Sequence, residues 1–161
     1  MKAIRLYARS PESLRFEDAP APRPGLGEVL VRVCAAAVTP TELLWVPTWA
    51  TREGGPRPLP VIPGHVFSGE VAALGEGVAA VGVGEAVYGM NDWFRDGAQA
   101  EYCLARAADV ARKSASIDHA HAAVTPLRPF PRPTRPGGRA HLPAPLPCPR
   151  SLLESVQPDR L

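Results

Sequence analysis

Lysine is nearly missing from this chain of 161 residues: only Lys2 and Lys113 occur, and arginine supplies the rest of its 18 basic side chains. Against 16 acidic residues this leaves a net charge of +2, too even a balance for a surface that grips a phosphate backbone. A composition poor in lysine and rich in Ala, Arg, Gly and Pro is that of a GC-rich coding sequence. Cysteine is scarce as well. Cys34, Cys103 and Cys148 are odd in number and far apart, so they spell neither a disulfide framework nor a Cys-x-x-Cys zinc pattern; they read as small buried residues or free thiols. No apolar run reaches the roughly 18 residues of a membrane span, and Met1-Lys2-Ala3-Ile4-Arg5 opens into a strand pattern rather than a signal peptide. These absences predict a cytoplasmic protein that binds neither nucleic acid nor membrane.

What is abundant is short-period alternation cut by glycine and proline. Lys2–Leu6 and Leu14–Glu17 alternate polar and apolar residues, as half-buried strands do. Ala19–Gly27 is a Pro/Gly loop. Glu28–Ala36, with Val29, Val31 and Val33 two apart, is the strongest early strand. Thr39-Pro40-Thr41-Glu42 looks like a helix start, with Thr39 as N-cap and Glu42 as an acid in the first turn, followed by short turns over Leu43–Trp45. Thr48–Pro60 is a long irregular excursion of the kind that often carries function. Pro63-Gly64-His65 is a turn that leads into a strand over Phe67–Leu74. Further strands are expected over Ala86–Gly89, Gly97–Ala105 and Val110–Ala111, and a helix capped by Ser116 runs through Ala123. Many short strands at this spacing predict an all-β barrel or sandwich.

The order and spacing of several stretches resemble the N-terminal, GroES-like domain of the medium-chain dehydrogenase/reductase family. These stretches are Met1-Lys2-Ala3-Ile4, Gly27–Val33, Ala37–Glu42, Pro63–Val71, Gly75-Glu76-Gly77-Val78, Gly84–Gly89 and Gly97–Tyr102. The zinc-independent quinone oxidoreductases are the branch most like it. The resemblance covers residues 1 to about 127. It implies a mainly β fold: a partly open β-barrel with a few short helices, which in the family packs against a Rossmann domain and supplies the substrate side of the cleft. It also implies hydride transfer between NADP and a quinone, enone or carbonyl substrate.

The resemblance makes Thr39 and His65 the candidate catalytic residues. Thr39 stands where the zinc-dependent branch has its first cysteine ligand and the zinc-free branch often has a polar group near the nicotinamide; the residue type fits a plain N-cap equally well. His65 matches the second zinc ligand, but the glutamate that follows it in that branch is Val66 here. The four-cysteine structural zinc lobe is missing. One histidine beside a neutral threonine hydroxyl does not hold zinc, so no metal is expected. His65 then reads either as a hydrogen-bonding turn residue or as a cleft-lining group. Trp45 and Trp49 line the cleft mouth or pack in the core, and Tyr88 packs.

From Arg128 the texture changes. Arg128–Leu161 holds nine of the 20 prolines, six arginines and two acids, with no strand or helix periodicity between Arg128 and Pro149. So many prolines remove backbone donors and block both elements, and the segment is expected to be disordered. A strand, a G-x-G-x-x-G turn and a helix should follow a GroES-like domain in this family. Gly137-Gly138 is not that fingerprint: no strand precedes it and no third glycine follows. The chain is therefore expected to be a truncated or frameshifted member, with its barrel face left apolar for dimerisation. Two other readings stay open: a non-catalytic β-barrel fragment, and a module whose Pro129–Pro136 run binds SH3-like partners.

Overall fold

A computed structural model describes residues 1–39 and 41–127. The disorder expected for 128–161 lies outside those residues, as does the expected proline at the first helical position, Pro40.

Among the described residues seven strands dominate: β1 (Lys2–Leu6), β2 (Leu14–Asp18), β3 (Glu28–Ala36), β4 (Val66–Leu74), β5 (Ala86–Met90), β6 (Tyr102–Arg106) and β7 (Val110–Arg112). The two α-helices among these residues are short, α1 (Val46–Trp49) and α2 (His119–Val124). β1 and β2 form a hairpin; the other five make a curled antiparallel sheet in the order β6-β3-β4-β5-β7. The mainly β, half-open barrel follows from the expected pattern. Val29, Val31 and Val33 all point inward from β3 and pack with Phe67 and Val71 of β4, Val87 of β5 and Cys103 and Ala105 of β6.

Two expectations fail locally. Gly97–Ala105 is a strand only from Tyr102 onward. Its first half leaves the ladder because the backbone of Gly97, Ala98 and Gln99 donates instead to the carbonyls of Ile62, Gly64 and Pro63, at 2.7, 2.6 and 3.0 Å. The helix expected after Ser116 is capped two residues later: Asp118 Oδ1 accepts from the His121 N–H at 2.8 Å, and a carboxylate there also suits the helix dipole.

The free-thiol reading of the cysteines holds for Cys103, which is free and buried, but not for Cys34, which is not a free thiol. Burial pushes the Cys103 thiol far above its ordinary value, and the thiolate is the reactive form. Cys103 should therefore resist a water-soluble alkylating reagent in the native protein and react fully once denatured; mass spectrometry of peptides labelled before and after urea checks this.

Candidate functional site

The site is built on the turn before β4. Gly64 sits at φ +92°, a left-handed backbone that glycine adopts without Cβ strain, and this turns the chain so that His65 points inward as β4 begins. The three bonds from Gly97–Gln99 fix the turn from below.

Glu42 meets it from the other side. The expected short turns are a 3-10 turn over Glu42–Leu44, but it starts at Thr41, which has no side-chain cap bond, rather than at Thr39. The N-cap role expected of Thr39 is therefore not realised: its carbonyl, not its hydroxyl, accepts from the Glu42 N–H at 3.0 Å. Glu42 is not a solvated first-turn acid either. It is 3% exposed, and its Oε1 accepts from the Gly64 N–H at 2.7 Å. Thr48 Oγ1 donates to the Glu42 carbonyl at 2.7 Å and Trp49 Nε1 to the Leu43 carbonyl at 2.7 Å, which locks α1 onto this turn. Trp49 is thus a packing residue, set against Leu6 and Val61.

His65 is 5% exposed and has a partner on each ring nitrogen. Nδ1 lies 3.2 Å from Asn91 Oδ1, and Nε2 lies 3.4 Å from Glu42 Oε1. Asn91 Nδ2 donates to the Asp96 carbonyl at 3.3 Å, which leaves the amide oxygen to face the imidazole; Nδ1 is accordingly the protonated nitrogen. A bare Nε2 facing an ionised carboxylate would set two lone pairs against each other, so one proton is shared between Glu42 and Nε2. Burial holds the Glu42 carboxyl above its ordinary range, opposed by the Gly64 N–H and the charge of Arg57. Burial also pushes His65 below its ordinary value, against the Asn91 hydrogen bond. Both directions favour the neutral pair, with the proton on Glu42.

Two indoles cover the pair. The His65 ring stacks on Trp93 at 5.5 Å and 8°, and Trp45 lies 4.7 Å from Trp93 and 6.3 Å from His65. A cleft of about 590 Å³ shares Asn91 and Trp93 with the site and reaches along Tyr88, Met90 and Arg52. A planar apolar molecule in this cleft would meet Trp93 and Asn91, with the buried carboxyl–imidazole pair directly behind them.

The structure thus brings His65 and Trp45 together and leaves Thr39 apart: the Thr39 hydroxyl makes no hydrogen bond among the described residues. Sequence reasoning missed Asn91 and Trp93 and misjudged Glu42. The one available signal for Asn91 was an Asn-Asp pair at the end of a strand, which reads equally as a turn.

Residues 25–115 match the alcohol dehydrogenase GroES-like domain. Over 89 residues the chain is 36% identical to L-threonine 3-dehydrogenase of Francisella tularensis subsp. novicida, a stretch that is 55% of this chain and 25% of that protein. The quinone oxidoreductase of Coxiella burnetii superposes with a TM-score of 0.68 at 28% identity, over 78% of this chain and 41% of the other. A cobalt- and zinc-bound thermostable alcohol dehydrogenase of Pyrobaculum aerophilum gives 0.65 and 28%, over 78% and 44%. A mycobacterial protein complexed with NADPH gives 0.65 and 33%, over 78% and 37%. The chain spans about a quarter of the curated relative and less than half of each structural one.

Proposed function

Because this chain belongs to the medium-chain dehydrogenase/reductase family through its alcohol dehydrogenase GroES-like domain, we propose that it supplies the substrate side of an NADP-dependent oxidoreductase acting on a quinone, enone or carbonyl compound. The observation that carries the proposal is the buried Glu42–His65–Asn91 chain under Trp45 and Trp93. The indoles orient a flat conjugated substrate, burial excludes water, and the proton shared between Glu42 and His65 Nε2 passes to the oxygen of the group being reduced; the Gly64 N–H holds the resulting Glu42 carboxylate until solvent reprotonates it on product release. The nicotinamide, when bound, supplies the hydride. Asn91 acts through His65: it fixes the proton on Nδ1 and so leaves Nε2 facing Glu42.

The residues present do not fit the two groups that family members carry. Zinc needs anionic or free imidazole donors; Thr39 offers a neutral hydroxyl, both nitrogens of His65 are engaged, and Val66 is buried in β4. We therefore place this chain in the zinc-independent branch and route no step through a metal. A dinucleotide needs a glycine-rich turn opening a helix. Among the described residues no strand is followed by that turn, and α2 has six residues. The proposed arrangement leaves the cofactor to a second domain, with 1–127 as the GroES-like domain and 128–161 as a Pro/Arg-rich tail for which a frameshift is the proposed origin. Such an enzyme would work in the cytoplasm; among the described residues no helix is long and apolar enough to cross a membrane. One observation favours an alternative, a β-barrel fragment without catalysis: Glu42 and His65 are buried and partnered by each other, by Asn91 and by the Gly64 N–H, as structural residues are.

The test is a fusion of residues 1–127 to the nucleotide-binding half of the Coxiella quinone oxidoreductase. NADPH should be consumed in the presence of a quinone, and His65→Ala should lower kcat roughly 100-fold. A well-folded fusion with no turnover would support the fragment reading. Translating the downstream DNA in the other two frames tests the frameshift separately: neither frame encoding a strand with a glycine-rich turn would sink it.

A further inference from the structure

The hairpin leaves one strand half paired. Among the described residues β2 has a single strand neighbour, β1, in a register that runs Lys2↔Asp18, Ile4↔Phe16, Leu6↔Leu14 without a bulge. The hydrogen-bonding phase of this pair is fixed at both ends. Met1 and Ala19 exchange bonds in both directions at 2.8 Å, and Tyr7 donates to the Ser13 carbonyl at 3.3 Å. By alternation, Ser13, Arg15, Glu17 and Ala19 turn their backbone groups toward β1, whereas Leu14, Phe16 and Asp18 turn theirs outward. The Leu14 N–H is taken by the Pro11 carbonyl. The outward groups of Phe16 and Asp18 make no backbone bond among the described residues, and Leu14 and Phe16 are apolar residues 40% and 46% exposed. An open edge of this kind templates pairing with another strand.

We propose that this edge is a homodimer contact, in which β2 pairs antiparallel with β2 of a second copy about a two-fold axis at Phe16. Several features converge on this occupant and this register. Outward backbone groups must form the hydrogen-bonded pairs, so Phe16 faces Phe16 of the second copy and Leu14 faces Asp18. Four backbone bonds result: two between the Phe16 residues, and one from each Asp18 N–H to the opposite Leu14 carbonyl. The same register puts Arg15 opposite Glu17 twice over, in the non-hydrogen-bonded pairs where cross-strand side chains come closest. Arg15 stacks on Tyr7 at 5.0 Å and makes no salt bridge among the described residues. Glu17 already accepts from Arg5 at 3.0 Å and from the Tyr7 hydroxyl at 2.6 Å, so it is held in place to receive a second guanidinium. Centring the axis on Asp18 instead would oppose two aspartates. A sequence reading Leu-Arg-Phe-Glu-Asp is thus complementary to itself only about Phe16, as a two-fold contact requires. The product is a four-stranded sheet, β1-β2-β2-β1. Five residues a side bury much less than the ~800 Å² per partner of a standard interface, so the dimer is weak and forms reversibly.

Sedimentation of the full chain across a concentration series reads this directly. The expected result is a reversible monomer–dimer equilibrium, with Phe16→Pro moving its midpoint to at least roughly tenfold higher concentration. The Phe16 N–H points away from β1, so this substitution leaves the hairpin ladder intact, which circular dichroism checks. Arg15→Glu alone and Glu17→Arg alone should each be monomeric, because each opposes like charges. An equal mixture of the two should dimerise again, since every 15–17 pair then joins opposite charges; this arm decides the matter even if Phe16→Pro fails to fold. A chain that stays monomeric at all concentrations, or a mixture that associates no better than its two components, would overturn the proposal.

Discussion

Gly97→Ala is expected to destabilise the protein by about 3 kcal/mol or more. A Cβ at Gly97 would lie 2.2 Å from the Gly64 carbonyl oxygen and 2.3 Å from that of Pro63. Both obstacles are backbone, so neither can swing away. Relief requires moving the 63–64 turn, which breaks the bonds from Gly97, Ala98 and Gln99 that hold it and takes His65 off its partners. The midpoint of thermal unfolding should fall by about 10 °C or more, and a fusion carrying the change should lose activity as it loses stability. Gly84→Ala is the control. Gly84 has φ +84° but nothing within 4 Å of the added carbon, so only the backbone strain remains, about 1 kcal/mol. Thermal denaturation of the two variants side by side checks the difference; equal losses would mean that the turn is not held as described.

Glu42→Leu should cost about 1–3 kcal/mol, because it strands the Gly64 N–H in a buried position without an acceptor. Glu42→Gln keeps an acceptor oxygen and should recover most of that loss. The pH dependence then separates the charge from the hydrogen bond. Burial raises the folded-state affinity of Glu42 for its proton above the ordinary value of 4.5. Its contribution is fully present below 4.5 and is lost as pH rises through the higher folded value. Glu42→Gln lacks this loss, so its stability should gain on the wild type as pH rises. His65 works from the acid side. Its affinity is held below the ordinary value of 6.5, so the unfolded chain takes up a proton that the fold resists, and stability falls as pH drops below 6.5. His65→Gln should flatten that acid limb in urea titrations run between acidic and neutral pH. His119, also held low by burial, leaves a residual slope.

These two predictions concern residues that sequence reasoning treated very differently. The strands were legible because their signal is local. Val29, Val31 and Val33 alternate within β3, and the glycine turns around β4 and β5 mark where strands must end. The break at Gly97 was not legible, since it depends on what the chain meets across the barrel rather than on its own alternation. The site divides in the same way. His65 and Trp45 stood out by type and position. Glu42 did not, because a first-turn acid and a buried hydrogen-bond acceptor look alike until Gly64, 22 positions on, is folded against it. Asn91 reaches His65 across 26 positions, a distance no local pattern reports. Thr39 illustrates the reverse error: a Thr-Pro pair suggested a cap, but the turn starts two residues later and uses only the Thr39 carbonyl.

We propose that this chain carries the substrate half of an oxidoreductase site, with the nicotinamide held by another domain. Trp45 and Trp93 pack against each other and against His65 at the site, so their emission reports anything that binds there. Titration of the purified 161-residue chain with NADPH, corrected for inner-filter absorption, should show no saturable change in tryptophan fluorescence at micromolar concentrations. The Coxiella quinone oxidoreductase, titrated in parallel, serves as the positive control. Saturable micromolar binding by this chain alone would contradict the account.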